Sequence, residues 1–319
     1  MKVQLVNTWQ QKAKSEVFGA ISVKEIPIRR YCKLIDLAPS RYYAIMKQQA
    51  LPLKVDAIEI ALKAAFMASG QTYGSRRLVR EMRTQGFAIG RHRVRRMMKA
   101  AMLVPVWKRR FVRTTNSQHS GRIAPNLLQQ NFNIAAPNRV WVADMTYIRT
   151  QSGWLYLAAV MDLYSRKIVG WAMASHMRAS LVCQALSMAL ITRQPQANLI
   201  VHTDRGVQYT SEAYLALLSK YHITASMSGR GNCYDNAVME RFFLNLKMER
   251  VWQMRYANHL EANKDINDYI VAFYNQKRLH STLDYLSPNQ FELIEIKNRK
   301  NVIQQDKCNS EVNMPIEVS

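Results

Sequence analysis

The sequence predicts an α/β fold behind an all-helical front end, and three observations predict it. Three apolar runs, at 140–148, 155–161 and 167–173, are separated only by Ser152-Gly153 and by Tyr164-Ser165-Arg166. Connections that short join neighbouring antiparallel strands, so the runs read as a meander. Helical and strand-like stretches then alternate: a helix from Ser180 to Thr192, a strand at 199–203, a helix from Ser211 to Lys220, a strand at 222–226 and a helix carrying Glu240. Ahead of all this, the apolar residues between Ile28 and Met98 follow helical spacing.

The 319 residues are enough for a sizeable core and more than one domain. The formal charge of +23 is unevenly spread: through Pro137 there are 25 Lys+Arg against 6 Asp+Glu, and beyond it 20 against 16. A basic front end joined to a nearly balanced back end points to a polyanion-binding module ahead of a compact catalytic core. A membrane-surface partner is disfavoured by the lack of a long apolar span or a polybasic run beside one. Cys32, Cys183, Cys233 and Cys308 are scattered and form no CxxC pair, which suits a reducing cytoplasm and argues against a structural zinc site. The N-terminus has no signal-peptide core, and the chain reads as soluble and intracellular.

The N-terminal helical region is assigned to 1–55. In it Ile28, Tyr31 and Ile35 line one helix face, Asp36-Leu37-Ala38 forms a turn, and Pro39-Ser40 opens a second helix near Arg41, Tyr42 and Tyr43. This is either a helix-turn-helix or an ordinary helical hairpin. Residues 56–105 are better defined. Ile58, Leu62, Ala65 and Phe66 mark a helix ended by Gly70; a second carries Arg76 and Arg77 and is broken at Gly86; a third carries Arg91, Arg93, Arg95 and Arg96. Such arginines serve base edges and phosphates when a helix lies in the major groove. Residues 106–137 form a basic linker in which Lys108, Arg109 and Arg110 alternate with aromatics, suited to a polyanion backbone. The catalytic core is assigned to 138–292, including a helical stretch at 257–277, and a polar tail to 293–319.

Three carboxylates stand on separate elements of that core. Asp144 lies in or at the end of the first apolar run, Asp204 at the tip of the run ending His202-Thr203, and Glu240 on a helix 36 positions further on. If they converge, they offer the oxygen ligands that hard divalent cations require. Asp162, Asp235 and Glu249 compete for the third place, although Asp235-Asn236 also suits a helix cap. Lys247 lies seven residues beyond Glu240, on nearly the same helix face, where it would meet phosphate. Arg230 in Gly229-Arg230-Gly231-Asn232 is a second phosphate candidate. His202, two residues before Asp204, and His280 are accessory candidates, each equally readable as a packed histidine. Trp141, Trp154 and Trp171 read as core residues.

Five blocks go further: WVADMTYI (141–148), DLYSRKIVGW (162–171), HTDRGVQYTS (202–211), SMSGRGNCYDNA (226–237) and YNQKRLHSTL (274–283) with Ser287-Pro288 after it. On these the chain closely resembles the second-reading-frame transposases of insertion sequence 3 elements, within the DDE transposase and retroviral integrase superfamily. The resemblance implies a ribonuclease H-like core, a mixed five-stranded sheet with flanking helices. It implies catalysis by Asp144, Asp204 and Glu240 with two Mg²⁺ or Mn²⁺ ions, Asp144 bridging both, Asp204 holding one and Glu240 the other. It also implies a helix-turn-helix in 56–105 and double-stranded DNA as partner, both terminal inverted repeats and target. A homo-oligomer on DNA, and a first-frame product joined by frameshifting, complete the implied partners. No sustained heptad occurs, so the chain reads as the second-frame product alone. Ser75 stands where an aromatic is frequent, and the zinc module of retroviral integrases is missing. Two rivals are a ribonuclease H-like nuclease, disfavoured by the long basic front end, and a catalytically silent DNA-binding regulator, disfavoured by the presence of all three acids.

Overall fold

The computed structural model describes residue 8 and residues 27–50, 57–106, 123–229 and 236–298. Lys108, Arg109, Arg110, Arg230 and Asp235 lie outside the described residues. By its contacts the chain divides into two units, residues 1–61 and 62–319.

The first unit contains helices α1 (Ile28–Leu34) and α2 (Pro39–Ala50). Proline suits the opening of α2, because its fixed φ is helical and the missing N–H has no helical partner there. Asp36 makes the turn at φ 49°, a left-handed conformation that a short polar side chain tolerates. Tyr31, Cys32 and Tyr42 form a small core, with Ile28 and Ile35 packed against it, so the expected apolar face is present.

Helix α3 (Ala57–Ala68) crosses that division and is followed by α4 (Ser75–Thr84) and α5 (Arg91–Ala100). The turns between them pass through Gly70 at φ 62° and Gly86 at φ 88°, values costly for a residue with a Cβ. Leu62, Phe66, Leu78, Met82, Val94 and Met98 are buried, one apolar stripe from each helix. Tyr73, between α3 and α4, is anchored far along the chain. Its hydroxyl donates to the Lys277 carbonyl (3.1 Å) and accepts from the Leu279 N–H (2.8 Å).

Beyond residue 139 the chain forms a five-stranded mixed sheet with flanking helices. In chain order its elements are β1 (Val140–Thr150), β2 (Gly153–Asp162), β3 (Ile168–Ala174), α6 (Ala179–Arg193), β4 (Ile200–Thr203), α7 (Glu212–Lys220), β5 (Thr224–Met227), α8 (Ala237–Glu249) and α9 (His259–Asp268). The strand order is β3-β2-β1-β4-β5. The first three strands pair antiparallel, as their short connections require, while β4 and β5 join parallel through helical crossovers. Strand alternation sends Val140, Val142 and Ile148 into a core shared with α8 and α9, and Trp141 and Ala143 into one shared with α6 and α7.

Two details depart from expectation. The helix expected over 257–277 changes at Tyr269 into π-type turns that run to Asn275, burying Tyr269, Tyr274 and Asn275. Trp141 is fully buried and Trp171 partly so, but Trp154 is 42% exposed: it stands at the start of β2, where the helices no longer cover the sheet. Among the described residues no helix is long and apolar enough to cross a membrane.

Helix α6 lies directly on the β3 backbone at Gly170. A Cβ there would stand 2.3 Å from the Ala185 carbonyl oxygen and 2.6 Å from the Ala189 nitrogen, both backbone atoms. Gly170→Ala therefore forces helix and sheet apart and should destabilise the protein by about 1–3 kcal/mol. Urea denaturation checks this; an unchanged midpoint would mean that α6 yields freely.

Candidate active site

The site begins with register. Strand β4 runs parallel to β1 with Val140 beside Ile200, Trp141 beside Val201 and Val142 beside His202. Asp144 and Asp204 each follow the last pair of that ladder by two residues. Strand β4 ends at Thr203, and Asp204 turns off it, its Oδ1 accepting from the Gly206 N–H (2.9 Å). Asp144 remains within β1, partly buried, and its Oδ1 accepts from the Met145 N–H (2.7 Å). Glu240 reaches the same region from the first turn of α8, on a solvent-exposed face.

Electrostatics records the convergence. Burial, and then the Asp204 charge, push the Asp144 carboxyl well above the usual carboxylate range; Glu240 adds to the shift, and the Met145 N–H and Lys247 oppose it. Partial desolvation also raises Glu240. Lys247, on α8, is lowered by burial and supported by Asp144. Its ammonium lies 4.7 Å from the centre of the Tyr147 ring.

Sequence reasoning passed over Tyr209. Its hydroxyl is buried with no hydrogen-bond partner among the described residues, and burial plus the charges of Asp144 and Asp204 raise it well above the usual phenol range. The one signal in the sequence is its place five residues past Asp204, in the turn before α7.

Other candidates resolve differently. His202 is fully buried, Nδ1 2.8 Å from the Ser226 hydroxyl and Nε2 3.1 Å from that of Ser228, so it joins β4 to β5 and the loop after it. The expected shared strand face with Asp204 fails, because the strand stops between them. Asp162 and Glu249 leave the competition: Asp162 pairs with Arg193 (3.0 Å) and Glu249 with Arg278 (2.7 Å). Asn236 does occupy the cap position of α8, but its side chain makes no capping bond. Arg76, Arg91, Arg93, Arg95 and Arg96 are exposed on α4 and α5. Arg77 was expected with them, yet its Nε donates to the Leu279 carbonyl (2.9 Å) and its guanidinium lies over Tyr73 at 5.5 Å. It braces the fold because α4 turns that face toward the C-terminal segment.

Family models described as an integrase core domain match residues 135–233 and 221–288, and one described as an HTH-like domain matches 54–111. An uncharacterized protein of insertion element IS600 from Shigella sonnei is 42% identical over 262 residues, 82% of this chain and 96% of its own. Transposase InsF of insertion sequence IS3A from Escherichia coli is 38% identical over 275 residues, 84% of this chain and 94% of its own. This chain belongs to the insertion sequence 3 transposase family. The transposase fold also resembles the HTLV-2 integrase catalytic core domain, which matches 49% of this chain and 97% of its own at 18% identity and a TM-score of 0.39.

The donor set of this transposase suits a hard divalent cation: all three side chains offer carboxylate oxygens. The raised Asp144 marks a negative cluster that bound cations would relieve. Among the described residues, no three His, Cys, Asp or Glu side chains are gathered closely enough to cage an ion by themselves.

His280 is buried at the end of the π-type turns, its ring edge-on to Tyr274 at 4.9 Å, and its backbone N–H bonds to the Leu286 carbonyl. Burial, then Arg278, Arg77 and Arg166, hold its pKa well below the usual histidine range, so the folded protein keeps it neutral. In the unfolded chain it titrates near 6.5. The stability it contributes is thus present above about pH 6.5 and falls as pH drops toward its depressed folded value, because the unfolded chain takes up the proton first. The urea midpoint should decline between pH 7 and 5, and His280→Gln should flatten that slope. An equal slope in the variant would assign the acid sensitivity elsewhere.

Proposed function

We propose that this transposase catalyses DNA cleavage and strand transfer through Asp144, Asp204 and Glu240, and that these carboxylates together hold two divalent cations, Mg²⁺ or Mn²⁺. The observation that carries this reading is the parallel pairing of β1 with β4, which stops two residues short of both Asp144 and Asp204, with Asp204 and Glu240 close enough to raise Asp144. Bound cations supply Lewis-acid activation of the attacking oxygen and stabilise the leaving one.

The protein's own part is positioning. Asp144 is held by its antiparallel pairing with Ala159 on β2 and Asp204 by its turn, while Glu240 can adjust from a helix end. Lys247 offers a positive charge to a phosphate beside them. The exposed arginines of α4 and α5, with the basic linker, hold terminal inverted repeats and target DNA; a homo-oligomer would bring two ends together, with a first-frame product as an additional partner. In the first step, a water oxygen bonds to the phosphorus at the element end. The bond from phosphorus to the 3′ oxygen breaks, and that oxygen takes up a proton to become a free 3′-hydroxyl. In the second, this hydroxyl oxygen attacks a target phosphorus and displaces a target 3′ oxygen. One P–O bond forms as another breaks, with no covalent enzyme–DNA intermediate. The work sits in a cytoplasmic, nucleoid-associated setting.

Glu240→Gln keeps the shape and removes the charge. With labelled element-end DNA and Mg²⁺ or Mn²⁺, it should lower cleavage and joining by roughly a hundredfold or more while end binding persists. Full activity in the variant would remove Glu240 from the centre. If wild type binds ends and never cuts them under these conditions, the regulator reading gains.

Asp144→Asn should raise the urea midpoint at pH 7 in chelator, since it relieves a buried charge among like charges. Mg²⁺ at a hundred times its dissociation constant should stabilise wild type by about 2.7 kcal/mol and the variant much less. Equal stabilisation of both by Mg²⁺ would place the ion elsewhere.

A further inference from the structure

Trp154 does not join the core, and what surrounds it forms a continuous stack. It is 42% exposed and Tyr147 is 37% exposed. Their rings meet edge to face, 5.1 Å between centres and 89° between planes. Strand register makes this a diagonal pair on one face: Tyr147 opposes Tyr156, and Arg149 opposes Trp154. Each exposed ring also carries a cation. The Arg149 guanidinium lies 5.4 Å from the centre of Trp154 and the Lys247 ammonium 4.7 Å from that of Tyr147. The order is arginine, tryptophan, tyrosine, lysine, and the lysine end is the one beside Asp144. At the hairpin tip the Gln151 N–H bonds to the Tyr256 carbonyl, which brings in exposed Arg255 from the neighbouring residue.

A solvent-facing aromatic pair serves no core, and a fully paired duplex offers it no free base faces. Aromatic rings framed by cations suit unpaired nucleotides, whose bases stack on the rings while their phosphates meet the charges. We propose that Tyr147 and Trp154, flanked by Arg149 and Lys247, form a stacking platform for unpaired nucleotides of a DNA end entering the carboxylate site. The platform would keep a frayed strand separated beside Asp144, so that the reacting phosphate is presented on a splayed rather than a paired strand. This rests on the transposase reading of the acids and adds a specificity for strand-separated ends.

The test compares binding, in chelator so that no cutting intervenes, to a blunt duplex and to the same duplex carrying a short unpaired tail. Variants are Tyr147→Leu/Trp154→Leu and Tyr147→Phe/Trp154→Phe. Wild type should prefer the tailed duplex by roughly tenfold, given the stacking strength of a base on an aromatic ring. The leucine pair should lose that preference and keep blunt-duplex affinity, and the phenylalanine pair should retain it. A 2-aminopurine in the tail should be quenched by wild type and by the phenylalanine pair alone. No preference in wild type, a preference that survives in the leucine pair, or equal weakening on both DNAs overturns the platform while leaving the transposase reading intact. Failure of wild type to bind any DNA overturns both.

Discussion

Everything in the catalytic half depends on β1 being hydrogen-bonded on both edges and covered on both faces. Among the described strands it alone pairs antiparallel on one side and parallel on the other. Such a strand must be apolar in both directions, and from Val140 to Ala143 every residue is buried. The carboxylate comes next, the first residue of the strand that is only partly buried. One residue earlier it would be sealed in a core with no route to a substrate. The β2 ladder holds the acid in place, and its incomplete burial admits a ligand.

The contrast with the other buried acids sharpens this. Asp162 and Glu292 both meet Arg193, Lys167 joins Glu292, and Glu249 meets Arg278 with both partners nearly sealed from water. The Arg193 and Lys167 contacts hold Glu292 below the usual glutamate range despite burial. Removing one member of such a pair strands the other and costs about 3–5 kcal/mol. Arg193 also ties Glu292 to Asp162 at the end of β2. Among the described residues Asp144 has no such ion pair; its electrostatic neighbours are Asp204, Glu240 and Lys247.

Much of this was legible. The sixty-position offset between Asp144 and Asp204 is the same as the offset of the parallel register, Val142 beside His202, so one pairing of two apolar runs placed two acids together. The meander was legible because Ser152-Gly153 permits little except a hairpin, and α2 because proline opens helices. Three things were hidden, each for a reason of distance or counting. Arg77 looks like its arginine neighbours in sequence, and its diversion depends on a carbonyl 202 positions away. His202 shares strand parity with Asp204 only if the strand continues, and one residue of strand length decided that. Trp154 reads as core by composition, because alternation tells which face a side chain takes but not how far a helix extends over that face.

The charge distribution then divides the labour. Around Asp144 one ammonium, Lys247, stands against three carboxylates, and even that ammonium is partly occupied by the Tyr147 ring. Without bound cations such a cluster repels a phosphodiester, so the acids themselves add nothing to DNA affinity. The excess positive charge lies ahead of it, 19 of the net 23 before residue 138. Binding that rests on counterion release from phosphates is long-ranged in effect and indifferent to sequence. It therefore suits the basic front end, part of which matches an HTH-like domain. Cations bound by the acids would reverse the local sign at the centre and favour a phosphate there.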